Sequence, residues 1–375
     1  MPAPDATGVV HASTQRGWRG GEQQIAYLHR GLAASGVPQV VVCAAGGELS
    51  RRAAALGMRH LAARRIGGVD PLFARSLARA CRDARAGIVH AHDPHAHAAA
   101  VLACALFRAP VRIVVARRVV FPVGRGPLTR WKYDHPAVRR IVCSSRAVAE
   151  TLARSVRDPG RRLCVVHDGI DVARFASAGP TGKLRAELGT RAGERIVGTV
   201  AALTAEKDPL TFVDAAARLA AARPDVRFVI LGEGPLRLEV EARARDLGLS
   251  GRLAILGFRP DLAELLPDLD VFLFTSRLEG LGTSLLDAQA CRVPVVATAA
   301  GGIPEAVRDG ETGLLAAPGN AAALAEHVLR LLDDAALRER LVAAASLRVR
   351  EEFGADSLVE RTLAIYREVA AERRA

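Results

Sequence analysis

Aromatic residues are scarce in this chain. Phe, Trp and Tyr make up 4% of its 375 residues, too few for a surface that stacks nucleic-acid bases, so no nucleic-acid partner is expected. The six cysteines stand apart at 43, 81, 104, 143, 164 and 291, with no C-x-x-C pair. That spacing argues against a disulfide framework or a thiolate metal cluster and fits a reducing compartment. No stretch of eighteen or more uncharged apolar residues occurs, so no membrane-spanning helix is expected. The opening MPAPDATGVVHAST lacks the basic segment and apolar core of a signal peptide. A cytoplasmic protein is therefore expected. G-x-S-x-G, G-x-x-x-x-G-K-[ST] and H-E-x-x-H are all missing, which removes three common hydrolase and nucleotidase signatures.

What is present is basic and lopsided. The formal net charge is +12. Residues 1–175 hold 27 Lys and Arg against 11 Asp and Glu, whereas residues 176–375 hold 25 against 29. A basic half points to an acidic partner, such as an anionic membrane surface or glycolipid. The great excess of Arg over Lys also fits a compositional bias. The stretch over 117–132, with Arg117, Arg118, Arg125, Arg130 and Lys132 interleaved with Phe121 and Trp131, is the expected contact with an acceptor or membrane. A solvated loop is the other reading of it.

Length and apolar content suffice for two domains. Short apolar runs alternate with helical patterns twice along the chain, which predicts two parallel-sheet α/β domains. Their expected limits are 1–172 and 173–356, with a terminal helix over 357–375 returning to the first. Ligands of such sheets gather where strands end. In the first domain, strand 8–14 leads to Gly20 and Gly21 at a helix start, a weak anion-site signal. Strand 88–91 leads to HAHDPHAH. His90 and His92 suggest a metal only faintly, because no further ligands accompany them.

The second domain holds the most informative stretch, FTSRLEGLGTSLLDAQACRVPVVATAAGGIPEAV, residues 274–307. A strand over 271–274, a loop with Gly280 and Gly282, and a helix from Thr283 form an anion cradle. Free first-turn amides and the helix dipole favour negative charge there. Glu279 and Asp287 flank the cradle. Carboxylates beside an anion site suit a ligand that also carries hydroxyls, as a nucleotide sugar does. An ordinary strand–helix turn with two solvated acids is the alternative. GEGP at 232–235 lacks the third glycine of a dinucleotide fingerprint. Asp268-x-Asp270 precedes a buried strand and reads as helix-end punctuation, not as a metal pair.

Residues 279–287 resemble the E-x7-E region of the retaining family 4 (group 1) glycosyltransferases, here as E-x7-D. Lys207 in E-K-D, GFRP at 257–260 and H-A-H-D at 90–93 fall in that family's order, so the resemblance covers nearly the whole chain. It implies a GT-B fold, two Rossmann-like domains facing a cleft, and metal-independent transfer from a nucleotide-diphosphate sugar, with no cofactor. It further implies that Glu279 binds donor-sugar hydroxyls and Asp287 the ribose. Amides of Gly280, Leu281, Gly282 and Thr283 support sugar and phosphate. Lys207 stabilises the leaving diphosphate, and Gly20 and Gly21 face it. His92 faces the anomeric region, while Phe258 and Arg259 line the base. The implied acceptor is a glycan or glycolipid precursor of the cell envelope, met at the inner face of the membrane. Two departures stand out. Ala201 and Ala202 occupy the place of the family's second cation, and Arg292 that of a helix-ending glycine. A nucleotide-sugar epimerase and a catalytically weak sugar-nucleotide-binding protein are the alternatives.

Overall fold

The computed structural model describes residues 8–124 and 126–372. The chain divides into two compact units, Met1–Gly169 with Ala355–Ala375, and Ile170–Gly354. The first unit is built on seven strands: β1 (Gly8–Ser13), β2 (Gln39–Ala44), β3 (His60–Ala63), β4 (Ala86–Ala91), β5 (Arg112–Arg117), β6 (Val138–Cys143) and β7 (Leu163–Val165). The second has six: β8 (Arg195–Val200), β9 (Val226–Leu231), β10 (Leu253–Ile255), β11 (Val271–Phe274), β12 (Val295–Thr298) and β13 (Leu314–Ala316). Every described pairing between these strands is parallel. Parallel sheets carry helices on both faces, so their strands read as unbroken apolar runs. VVV in β2 and VFLF in β11 are buried throughout.

Strand order fixes where ligands can gather. It is β3-β2-β1-β4-β5-β6-β7 in the first sheet and β10-β9-β8-β11-β12-β13 in the second. Each sheet therefore grows outward in both directions from one central pair, β1 with β4 and β8 with β11. At such a switch point the connections leave to opposite sides and open a crevice at the carboxyl ends of the strands.

The helix Ala355–Ala371 belongs to the first unit, against the helix Gly20–Ala34. Gly31 permits this approach: a Cβ there would lie 2.4 Å from Val359 Cγ2. Tyr366 on the returning helix donates or accepts across 2.6 Å to His90 Nδ1 in β4. The strand at 314–316 has no counterpart among the sequence expectations. It is three residues long and lies at a sheet edge, too short for a periodic signal.

Candidate active site

In the second unit the crevice at β8 and β11 is built from two loops. After β8 the chain makes a single 3-10 turn, Ala205–Lys207, and Asp208 enters the left-handed region at φ +45°. Its carboxylate then caps the helix Pro209–Ala222, accepting from Thr211 N at 3.3 Å and Thr211 Oγ1 at 2.6 Å. After β11 the loop carries Glu279 to the helix Thr283–Ala290. The loops are stitched together. Glu206 O accepts from the amides of Arg277 and Leu278 at 2.8 and 3.2 Å. Thr275 Oγ1 donates to Asp208 O at 2.9 Å, and Arg277 Nε donates to Asp208 Oδ2 at 2.5 Å.

The result is that Lys207 Nζ meets Glu279 Oε2 in an ion pair. Ser276 Oγ donates to the same oxygen at 3.3 Å. Behind Glu279, Gly301 and Gly302 hold its backbone. Gly302 N donates to Glu279 O at 3.0 Å, and a Cβ at Gly301, with φ +54°, would lie 2.2 Å from that oxygen. Gly282 supplies the N-cap of the next helix at φ +88°, where a Cβ would meet Leu285 at 2.8 Å. Only glycine satisfies both the dihedral and the space. Beyond it the first-turn amides of Thr283–Ala290 are free of side-chain caps, the anion-binding condition of a helix start. GEGP has a structural task beside them. A Cβ on Gly232 would overlap Ala201 O at 1.8 Å, and one on Gly234 would lie 2.4 Å from Leu203 O. These glycines let the loop carrying Lys207 lie flat.

Asp287 lies on the helix Thr283–Ala290. Burial pushes its carboxyl up to about 8, with Arg174 pulling the other way. Desolvation at this position thus favours the protonated carboxyl over the carboxylate. Arg292 follows the helix at φ +61°, in the left-handed conformation that glycine adopts cheaply. Phe258 is exposed. Arg259 is not free: its guanidinium is held by Glu187 at 2.7 Å and by Asp261 at 2.8 Å. Any base contact from GFRP therefore rests on backbone groups and Phe258. Asp268 and Asp270 are occupied elsewhere. Asp268 accepts from the amides of Gly182 and Leu184, both at 2.9 Å, and Asp270 pairs with Arg185 and Arg195, both at 2.8 Å.

In the first unit the crevice lies at β1 and β4. Residues His11 and His90 are paired in register, and the next turn brings His92 N to Ala12 O at 2.9 Å. His92 Nε2 shares a hydrogen bond with His11 Nδ1 at 3.0 Å. Asp93 caps the helix Pro94–Phe107 and also accepts from Thr14 N at 2.6 Å and Thr14 Oγ1 at 2.7 Å, locking the two loops together. His95 and His97 turn away, toward Gly68 O and Lys132 O.

His11 was invisible from local spacing; only the sheet register places it beside His92. It corrects the expectation that His90 and His92 have no companion ligand. His11, His90 and His92 offer ring nitrogens all within 4.8 Å of one another. Burial, followed by the neighbouring imidazoles, lowers the pKa of His92, and burial brings His11 down to about 3. The cluster is thus neutral, and one of its hydrogen bonds is already made internally. Gly20 and Gly21 open the helix Gly20–Ala34 behind Arg19, and a Cβ on Gly21 would meet nothing within 4 Å. Glu22 turns back to accept from Arg19 N at 3.0 Å, a capping box that uses part of this helix start. Of the basic stretch, Arg125 lies outside the described residues. Lys132 Nζ points to Pro94 O at 3.4 Å and is partly buried, so it is not the free surface cation expected. Leu128 and Trp131 are exposed.

Chemically, the second unit offers a cation and a carboxylate beside a glycine-capped helix start, and the first offers a neutral histidine beside another. Two family profiles match the chain. One, described as glycosyl transferases group 1, matches residues 181–348. The other, glycosyltransferase family 4, matches residues 18–174. A 2-deoxystreptamine glucosyltransferase of Streptomyces kanamyceticus is 34% identical over 64% of this chain and 63% of its own length. A D-inositol 3-phosphate glycosyltransferase of Mycobacterium tuberculosis is 34% identical over 63% of this chain and 50% of its own. The chain thus spans half to just under two thirds of the length of these curated relatives. In fold, it superposes on Anabaena HepE, solved with UDP and glucose, with a TM-score of 0.85 at 19% identity, covering 96% of this chain and 99% of that one. The expected GT-B architecture of two parallel-sheet domains is the one observed.

Proposed function

The chain belongs to the group 1 glycosyltransferases, and from that premise we propose that it transfers a sugar, with retention, from a nucleotide-diphosphate sugar to a hydroxyl of a cell-envelope glycolipid or polysaccharide precursor. The observation that carries this reading is the Lys207–Glu279 ion pair at the β8/β11 crevice, beside the helix start at Thr283, which has no side-chain cap. In the unliganded chain each partner holds the other in place. With donor bound, Glu279 accepts from sugar hydroxyls and Lys207 turns to the diphosphate. As the bond between anomeric carbon and phosphate oxygen breaks, its electron pair goes to the diphosphate. The incoming hydroxyl forms the new bond on the same face and gives its proton to a diphosphate oxygen. Lys207 and the amides of Gly280 to Thr283 offset the growing charge. Asp287 binds the ribose, and Phe258 lies against the base.

Within the first unit, this reading assigns substrate contacts to His92 and to the Gly20–Gly21 helix start. His92 acts as a neutral hydrogen-bonding group, fixed by His11. No described helix is long and apolar enough to cross a membrane. The basic first half supports contact with an anionic membrane from the cytoplasmic side. A second acceptor class has its own support. The names of two relatives specify cyclitol-type acceptors, 2-deoxystreptamine and inositol 3-phosphate, so a small cyclitol is the alternative.

The test is a thermal-shift panel of nucleoside diphosphates and nucleotide sugars, followed by transfer assays with the stabilising donor. A donor at a hundred times its Kd stabilises the chain by about 2.7 kcal/mol. Product with an inverted anomeric centre, or no nucleotide sugar that stabilises the fold, would overturn the reading.

A further inference from the structure

The first unit carries a second charged hollow, at the opposite edge of its sheet from His92. It has a volume of about 240 Å³ and is lined by Arg139, Arg140, Arg157, Arg161 and Arg162. Arg139 and Arg140 open β6, so the hollow lies at the amino ends of the strands, whereas His92 follows the carboxyl end of β4.

Three of these arginines are fixed. Arg139 and Arg140 both pair with Glu372. Arg162 donates to Asp134 Oδ1 at 3.3 Å and to Val138 O at 2.9 Å, and burial lowers its pKa despite Asp134. These three side chains are 11 to 18% exposed. The other two, Arg157 and Arg161, are exposed at the rim, and their side chains show no ion pair among the described residues. Against five guanidiniums stand three carboxylates: Asp134, Asp158 and Glu372. Two of these are already engaged, Asp134 by Arg162 and by Arg157 N at 3.0 Å, and Glu372 by Arg139 and Arg140.

We propose that this hollow binds a phosphate group, with Arg157 and Arg161 closing on it over the fixed floor of Arg139, Arg140 and Arg162. Like charges gathered in a half-buried site repel one another, and an anion relieves that repulsion. Guanidinium forks match phosphate oxygens in a planar, two-bond geometry that lysine lacks. The volume lies below the range of pockets that enclose drug-sized ligands, which suits one or two phosphates and is small for a whole nucleotide sugar. A free phosphate or diphosphate and the phosphate of a lipid headgroup share this chemistry. The site stands independently of the proposed transfer reaction.

The experiment uses the full chain and the double variant Arg157→Glu/Arg161→Glu. Both positions are exposed, so the unliganded variant keeps the wild-type melting temperature. Pyrophosphate binding is measured by calorimetry with Lys207→Ala present throughout, to weaken the donor crevice. Co-sedimentation with phosphatidic acid vesicles and with phosphatidylcholine vesicles is measured in parallel. Exchanging two charge-assisted contacts for two repulsions weakens phosphate binding by about a hundredfold. Loss of pyrophosphate binding in the variant identifies a free phosphate as ligand. Loss confined to phosphatidic acid vesicles identifies a lipid headgroup. Equal binding by both proteins in both assays, or binding by neither, overturns the proposal. Unchanged donor affinity in the variant, measured with Lys207 intact, separates this outcome from any failure of the proposed reaction.

Discussion

Lys207 and Glu279, 72 residues apart in sequence, form an ion pair at the carboxyl ends of two neighbouring strands. Neither is deeply exposed: their side chains are 24% and 11% accessible. The pair is held from behind by Gly302 N on Glu279 O and by Thr275 Oγ1 on the Lys207–Asp208 turn. Two groups of opposite charge are thus kept in place by each other.

Removing Glu279 tests the donor site. Glu279→Ala is expected to lower kcat/KM by about 2–4 kcal/mol of transition-state stabilisation, the scale of charge-assisted hydrogen bonds in a preorganised site. Circular dichroism should match wild type. Transfer at the wild-type rate would remove Glu279 from the reaction.

Lys207→Ala is expected to lower kcat more than it raises donor KM, because charge on the leaving diphosphate grows toward the transition state. Steady-state kinetics with the donor varied reads the split. A change in KM alone would limit Lys207 to ground-state binding.

Arg277, which local sequence did not single out, is expected to position the two loops of the site. Its side chain is 60% exposed, yet it bridges the Glu279 loop to Asp208 on the Lys207 turn. Arg277→Ala should lower kcat/KM by about tenfold while leaving stability nearly unchanged, as for an exposed ion pair. Arg277→Lys should recover part of the activity, since one cation can still reach Asp208. Loss of stability in proportion to activity would make the contact merely structural.

Asp287 predicts a pH dependence with a definite sign. Its folded-state value of about 8 lies above the usual 3.8. Between these values the folded chain keeps a proton that the unfolded chain has released, so stability falls as pH rises from about 4 to about 8. Asp287→Asn should flatten that slope in urea titrations at a series of pH values, and should be the more stable form at pH 8. The same variant should bind nucleoside diphosphate more weakly. An unchanged slope would mean that Asp287 is ionised in the folded chain.

Arg292 ends its helix at positive φ on an exposed site. Arg292→Gly should stabilise the fold by about 0.5–1 kcal/mol, because glycine adopts this conformation without strain. An unaltered urea midpoint would show that arginine is not strained there.

The sequence by itself determined the two parallel-sheet domains, since doubly buried strands and amphipathic helices impose periodicities that survive in local text. It also determined the glycine-capped helix at Thr283, because a left-handed N-cap at Gly282 demands glycine whatever surrounds it. Only the tertiary structure decided which residues meet. The orders β3-β2-β1-β4 and β9-β8-β11-β12 put the loop after β1 beside that after β4, and the loop after β8 beside that after β11. His11 thereby joins His92, Arg277 joins Asp208, and Gly301 supports Glu279. No local spacing encodes those encounters, because each depends on strand register and on glycines that let backbones touch. The pKa of Asp287 was likewise out of reach until burial was known: a carboxyl reads as an anion in sequence, and desolvation in the folded chain shifts its balance toward the protonated form.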